Sequence, residues 1–268
     1  MERANVRGTT LEYETFGSGE PVLLIHGVLV ADAYRPLVGE DSLTPYKLIL
    51  YHRRGAAGSD RVTPPFAISE QAADARALLD ELGIERAHVV GHSYGAAIAL
   101  QLGADSPEVL HTLTLLETPS VLVPAAQQVV QAAEPIGQRY ASGDKEGATD
   151  DFLVAMGGAG YREPLDRLLP GAFEQAVSDS DALFTAEFPA LGEWAISEED
   201  VHGIDAPVLR VRGEDTIPWF VESDALLGEW LPNSESTTIS GMGHFLQMVD
   251  PHPVAVTLGA FFGRHPMS

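Results

Sequence analysis

A serine hydroxyl is a poor nucleophile at neutral pH. It attacks a carbonyl only when a base takes its proton, an acid orients the base, and amide donors receive the oxyanion that forms. Gly91-His92-Ser93-Tyr94-Gly95 offers the nucleophile. It follows the apolar run Ala87-His88-Val89-Val90 and precedes an alanine-rich stretch with helical character. A serine on such a strand-to-helix corner is forced out of regular structure, and its hydroxyl stands exposed at the edge of a sheet. The flanking glycines admit a turn too tight for a Cβ. The base is expected late in the chain, and His244 in Gly241-Met242-Gly243-His244-Phe245 fits, because the glycines let the loop bend back before a capped terminal helix. His52, His88, His92, His111, His202, His252 and His265 are read as ordinary core or surface residues. One oxyanion donor is the amide of Tyr94, at a helix N-terminus. The other is the amide of Val28 in His26-Gly27-Val28-Leu29, where Gly27 lets the backbone turn toward Ser93.

Strands must place these loops. Thr10–Thr15 alternates with period two and reads as an edge strand. The short apolar runs at Pro21–Ile25, Tyr46–Tyr51, Ala87–Val90, Leu113–Leu116 and Pro207–Val211 suit strands buried on both faces of a parallel sheet. Helices are expected between them. One runs from an N-cap at Ser69 to Leu82, with Ala72, Ala75, Leu78, Leu79 and Leu82 on one face and Gly83 as its stop. Another spans Tyr94–Ala104. A last one starts with Asp250 as cap and Pro251 at its first position, and runs toward Phe261 and Phe262. Alternating strands and helices mean an α/β domain. Between about Ser120 and Asp205 the alternation gives way to a helical pattern broken by prolines and glycines, which reads as an insertion between two sheet strands.

At 268 residues and 45% apolar content the chain can build one large core with an insertion. The absence of cysteine excludes disulfides, thiolate metal sites and a cysteine nucleophile. A net charge of -23, spread along the chain, disfavours nucleic acid and anionic membranes as partners. No run approaches the roughly 20 apolar residues of a membrane span, and the first five residues lack the apolar core of a secretory signal. The expectation is a cytoplasmic protein.

His26-Gly27, the loop Arg54-Gly55-Ala56-Ala57-Gly58-Ser59, the Gly91–Gly95 corner and Gly243-His244 occur in an order and spacing that resemble the α/β-hydrolase superfamily over nearly the whole length. That resemblance implies a mostly parallel eight-stranded sheet with helices on both faces, a Ser-acid-His triad and no cofactor. It also makes the insertion similar to a helical cap. The expected division is a core of residues 1–119 and 206–268 and a cap of residues 120–205.

The acid departs from the commonest pattern of these enzymes, which puts it three residues after the glycine that ends the strand following the cap. That glycine is Gly213, and the third residue after it is Thr216, which carries no charge. Asp215 lies one position early. The other placement known in the superfamily is the end of the strand before the cap, and Leu115-Leu116-Glu117-Thr118-Pro119 offers Glu117 there. It is similar to the placement in one subgroup of haloalkane dehalogenases and in some lactone-cleaving hydrolases. A carboxylate ending an apolar strand needs a partner. Glu117 is preferred, with Asp215 as the alternative.

A serine in place of a carboxylate nucleophile disfavours dehalogenase and epoxide hydrolase chemistry. The expected reaction is hydrolysis of a carboxylic ester or lactone through an acyl-enzyme. Hydrolysis of a carbon–carbon bond in a β-diketone-like substrate is the second reading, and a non-catalytic ligand-binding protein the third. The cap supplies Phe152, Met156, Tyr161, Phe173, Leu183, Phe184, Phe188 and Trp194, and Trp219 and Phe220 follow Pro218, so the pocket should be apolar. Gly27, Leu29, Trp194, Trp219 and Phe220 are assigned to substrate binding, and no metal site is assigned. The expected partner is a small apolar ester or lactone, with no nucleic acid, no membrane and at most a second copy of the chain in a homodimer.

Overall fold

A computed structural model describes residues 1–61 and 65–267. Residues 62–64 and 268, which fall inside the expected core segments, lie outside the described residues. Eight strands form one sheet: β1 (Glu2–Val6), β2 (Thr9–Phe16), β3 (Glu20–Ile25), β4 (Tyr46–Tyr51), β5 (Ala87–His92), β6 (Leu110–Leu116), β7 (Val208–Gly213) and β8 (Glu235–Ile239), in the order β1-β2-β4-β3-β5-β6-β7-β8. β2 pairs antiparallel with β1 and β4, and the other neighbours are parallel. Thr10–Thr15 therefore belongs to an interior strand, not to the edge. The edges are β1 and β8, whose polar residues face water and carry no apolar run.

The continuous apolar runs follow from burial on both faces. Leu23, Ile25, Val89 and Leu113 pack on α1 (Ile68–Glu81) and α2 (Tyr94–Asp105), while their neighbours Val22, Leu24 and Val90 pack on the opposite side against Val254, Leu258 and Phe262. Helix α1 is capped at Ala67 rather than Ser69: the Glu70 side chain accepts from the Ala67 amide at 2.9 Å, so Ser69 lies inside the helix. Gly83, at φ 66°, takes the left-handed turn just beyond it.

Among the described residues no strand lies between β6 and β7. This stretch, called the cap segment below, holds α3 (Ala125–Ala141), α4 (Lys145–Gly157), α5 (Arg162–Leu168), α6 (Ala172–Ala182), a π-helical turn (Leu183–Glu187), α7 (Phe188–Glu193) and α8 (Glu198–Val201). Phe152, Leu153, Phe173 and Leu183 form a third apolar cluster with Leu29, Val30 and Phe245 from loops at the ends of strands. After β7 come α9 (Pro218–Trp230), α10 (Leu246–Val249) and α11 (Pro251–Arg264), the last capped by Asp250, whose carboxylate accepts from the His252 amide. Among the described residues no helix is long and apolar enough to cross a membrane.

Candidate active site

The site is built from loops at the C-terminal ends of adjacent parallel strands, where open α/β sheets place their ligand crevices. Ser93 leaves β5 at φ 55°, ψ −125° and starts α2. Its amide donates to the Leu116 carbonyl of β6 at 2.9 Å, which holds the corner to the sheet. The flanking glycines are required by close approach. A Cβ on Gly91 would fall on the Gly95 carbonyl, and one on Gly95 would fall on the carbonyls of Ile25 and His26. Gly95→Ala is expected to destabilise the fold by about 1–3 kcal/mol, the usual cost of overpacking. A thermal melt that matched the parent protein would contradict this packing.

Glu117 leaves β6 with a positive φ as well, 54°, and its amide donates to the Val211 carbonyl of β7. Each such residue carries strain of order 1–3 kcal/mol, and such strain gathers at functional sites. The Glu117 carboxylate is buried and fully engaged. Oε1 accepts from the Gly213 amide at 2.6 Å, and Oε2 accepts from Thr216 Oγ1 at 2.5 Å and meets His244 Nδ1 at 3.2 Å. His244 Nε2 lies 3.1 Å from Ser93 Oγ. Since the carboxylate can only accept from Nδ1–H, Nε2 presents its lone pair to the serine. Ser93, His244 and Glu117 thus form one hydrogen-bonded line.

Asp215, the alternative acid, is displaced from this line. It is exposed, and it is its backbone amide that is engaged, donating to the Met242 carbonyl at 2.8 Å. The next residue, Thr216, faces inward. The position that lacks a charge in the sequence pattern supplies a hydroxyl to the carboxylate that replaces it.

Two side chains brace the imidazole. Phe220 stacks on it, 4.1 Å between centroids and 8° between planes. His92, read from the sequence as an ordinary core or surface histidine, reaches the His244 carbonyl through Nε2 at 2.9 Å. A carbonyl only accepts, so this nitrogen carries the proton. Burial, with the neighbouring His244, depresses the His92 pKa to about 3 and keeps the ring neutral.

Val28 and Tyr94 line the same cavity as Ser93, and among the described residues neither backbone amide donates to a protein acceptor. Gly27 brings its backbone close to the serine: a Cβ there would stand 3.1 Å from Ser93 Cβ. Ser93 opens on a cavity of about 200 Å³ between core and cap segment, walled by Val28, Ile136, Phe152, Leu191, Trp219 and Phe220. A recess of about 20 Å³ opens from the same serine on the His244 side, beside Gly27, His92 and Phe245.

Two residues assigned to substrate binding lie elsewhere. Leu29 takes φ 65° and joins the cluster beneath the cap segment instead of the cavity wall. Trp194 donates from Nε1 to Gln101 Oε1 at 2.8 Å and packs on the core behind the site. Arg53, Glu187 and Thr216 had no assigned role in the sequence reading. Arg53 stands beside the Arg54–Ser59 motif, and nothing in the local pattern marks it as buried. Its partner Glu187 comes from the π-helical turn of the cap segment, with Nη1 to Oε1 at 2.5 Å.

The alpha/beta hydrolase fold family matches residues 20–251. The protein given as "Putative carbamate hydrolase RutD" in Azorhizobium caulinodans is 37% identical over 117 residues, and that match spans 43% of this chain and only 44% of the relative. Its namesake in Pseudomonas syringae pv. syringae is 27% identical over 234 residues, covering 82% of this chain and 85% of that protein. Among solved structures, the enol-lactonase of Burkholderia xenovorans LB400 superposes with a TM-score of 0.82 at 19% identity, covering 98% of this chain and 100% of the other. Est816, described as an N-acyl homoserine lactone degrading enzyme, gives 0.74 at 24% identity over 97% and 100%. At those identities the structures speak for the fold alone. The strand order and the family match over most of the chain lead to one statement: this protein belongs to the α/β-hydrolase fold family.

Proposed function

We propose that the protein is a serine hydrolase cleaving a carboxylic ester or lactone through an acyl-enzyme. The observation that carries this reading is the hydrogen-bonded line Glu117–His244–Ser93 at the mouth of an apolar cavity. In the reaction, Ser93 Oγ attacks the acyl carbon while His244 Nε2 takes its proton. Glu117 holds the imidazole and balances its charge, and the Val28 and Tyr94 amides receive the oxyanion. The protonated imidazole then gives its proton to the leaving alcohol. Water attacks the acyl-enzyme with His244 as base, releasing the acid and restoring Ser93. In a lactone, alcohol and acid leave as one molecule.

The cavity wall carries no lysine, arginine, aspartate or glutamate among the described residues. Burying a charged acyl group there would leave it unpaired, so the favoured acyl group is uncharged and apolar. The fold neighbours described as an enol-lactonase and a thermophilic esterase are in keeping with this substrate class. A carbamate carbonyl, suggested by the curated relatives, offers the same electrophile. A carbon–carbon bond hydrolase is a further reading that the same three residues would serve, and one structurally similar protein is described as a meta-cleavage product hydrolase. The proposal places the enzyme in the cytoplasm, alone or as a homodimer, acting on a soluble small molecule, with residues 120–205 as its cap.

The test is a panel of p-nitrophenyl esters, lactones, carbamates and ring-fission diketones, with a fluorophosphonate probe alongside. Labelling at Ser93 is expected. Among esters, short and medium apolar acyl chains should exceed hexadecanoate by about tenfold in kcat/KM, as the confined cavity selects on size. Turnover of the diketones alone would replace the ester reading. An unlabelled Ser93 would favour a binding protein.

A further inference from the structure

Arg53 lies just after β4 and is only 2% exposed. Its guanidinium donates from Nε to the His26 carbonyl at 2.9 Å and from Nη2 to the Gly27 carbonyl at 2.7 Å. Nη1 meets Gln71 Oε1 and Glu187 Oε1, both at 2.5 Å. The backbone amide of Arg53 donates to His26 Nε2 at 3.0 Å, so that nitrogen is the lone pair and His26 Nδ1 carries the proton. That proton goes to the Gly27 carbonyl, 2.7 Å away. The Gly27 oxygen thus accepts from both His26 and Arg53, and it belongs to the same peptide unit as the Val28 N–H. The guanidinium carbon also stands 5.1 Å from the centroid of the Tyr94 ring, and Gln71 donates to the Tyr94 hydroxyl at 3.1 Å. One buried cation therefore touches both the Gly27–Val28 peptide, through its carbonyl, and the ring of Tyr94, the residue after Ser93.

We infer that Arg53 is a positioning residue of the oxyanion site: it fixes and polarises the Gly27–Val28 peptide, and Glu187 from the cap segment is the counter-charge that lets the cation stay buried. A peptide whose carbonyl is held by two donors, one of them charged, becomes a stronger and better-aimed N–H donor. An ion pair serving only to join cap and core would have no need of the Gly27 carbonyl. Nearby, Arg61 pairs with Asp179 of α6 from a half-exposed position and does that joining without touching the site. The inference rests on the serine-hydrolase reading above.

Removing Arg53 alone would strand the Glu187 carboxylate in the interior, so the informative variant is the neutral pair Arg53→Met/Glu187→Leu, which exchanges a buried ion pair for apolar contact. On the best ester of the panel, kcat should fall about tenfold or more while KM stays within about threefold, the signature of lost transition-state stabilisation. The inhibition constant of butylboronic acid, which forms a tetrahedral anion on the serine, should weaken in parallel. A folded double variant with the parent kcat and boronate affinity overturns the inference, as does a loss of kcat with boronate binding intact. If the double variant does not fold, Arg53→Lys decides. It keeps the charge but cannot hold Glu187 and the Gly27 carbonyl in one rigid fork, so kcat and boronate affinity should fall together, and their full retention overturns the inference. A parent protein that binds no boronate and hydrolyses no ester would instead refute the serine-hydrolase reading itself.

Discussion

Ser93→Ala is expected to lower kcat on the best ester substrate by about 10⁶, the loss seen when the nucleophile of a serine hydrolase is removed. The size of the effect follows from the geometry. His244 Nε2 faces Oγ at 3.1 Å, so without Oγ the base has no attached nucleophile to activate. What remains is water reacting in a site that still offers two amides. The alanine variant should fold normally, because φ 55° at this position is set by the corner and by the amide bond to Leu116, neither of which involves the hydroxyl. Steady-state kinetics beside a thermal melt checks both points. Residual activity above one part in about 10³ in a folded variant would show that another group performs the attack.

Glu117→Gln is expected to lower kcat by about 10⁴ with little change in KM, as when the orienting acid of a serine protease is made neutral. The carboxylate takes three donors, from Gly213, Thr216 and His244. An amide has one acceptor oxygen and one NH₂ group. Whichever way it turns, a donor meets a donor or the imidazole is driven into the tautomer that points a proton at the serine. The imidazolium formed during attack also loses its balancing charge. Asp215→Asn, by contrast, should stay within about twofold of the parent, the small effect usual for an exposed position. Equal losses in the two variants, or a larger one at Asp215, would take Glu117 out of the line.

Much of this site was legible because chemistry and pattern coincide in it. Ser93 stands between two glycines at the end of an apolar run, and a turn that tight serves little else. Glu117 was legible for the opposite reason: a carboxylate breaking an apolar strand demands a partner. The inner strands were legible from burial on both faces, whereas β1 and β8 were not, since their outward residues are free to be polar. Leu29 and Trp194 were placed elsewhere because neither closeness in sequence to Gly27, for Leu29, nor membership of the helical insertion, for Trp194, says anything of side-chain direction. The left-handed turn at Leu29 swings its side chain under the cap segment, and Trp194 follows a bond to Gln101 on α2. Arg53 was illegible altogether. Its burial depends on Glu187, 134 positions away, and on carbonyls of a loop that only the tertiary fold brings alongside.

Ser93, His244, Glu117, Val28 and Tyr94 all stand at or just after the ends of sheet strands, while α3, α4 and α7 supply much of the cavity wall. On the proposed hydrolase reading, reactivity and selectivity are therefore inherited from separate parts of one chain. On that reading a lineage could trade one cap segment for another and change its diet without relearning the reaction, provided each new segment still carried an anion to the place where Glu187 now sits.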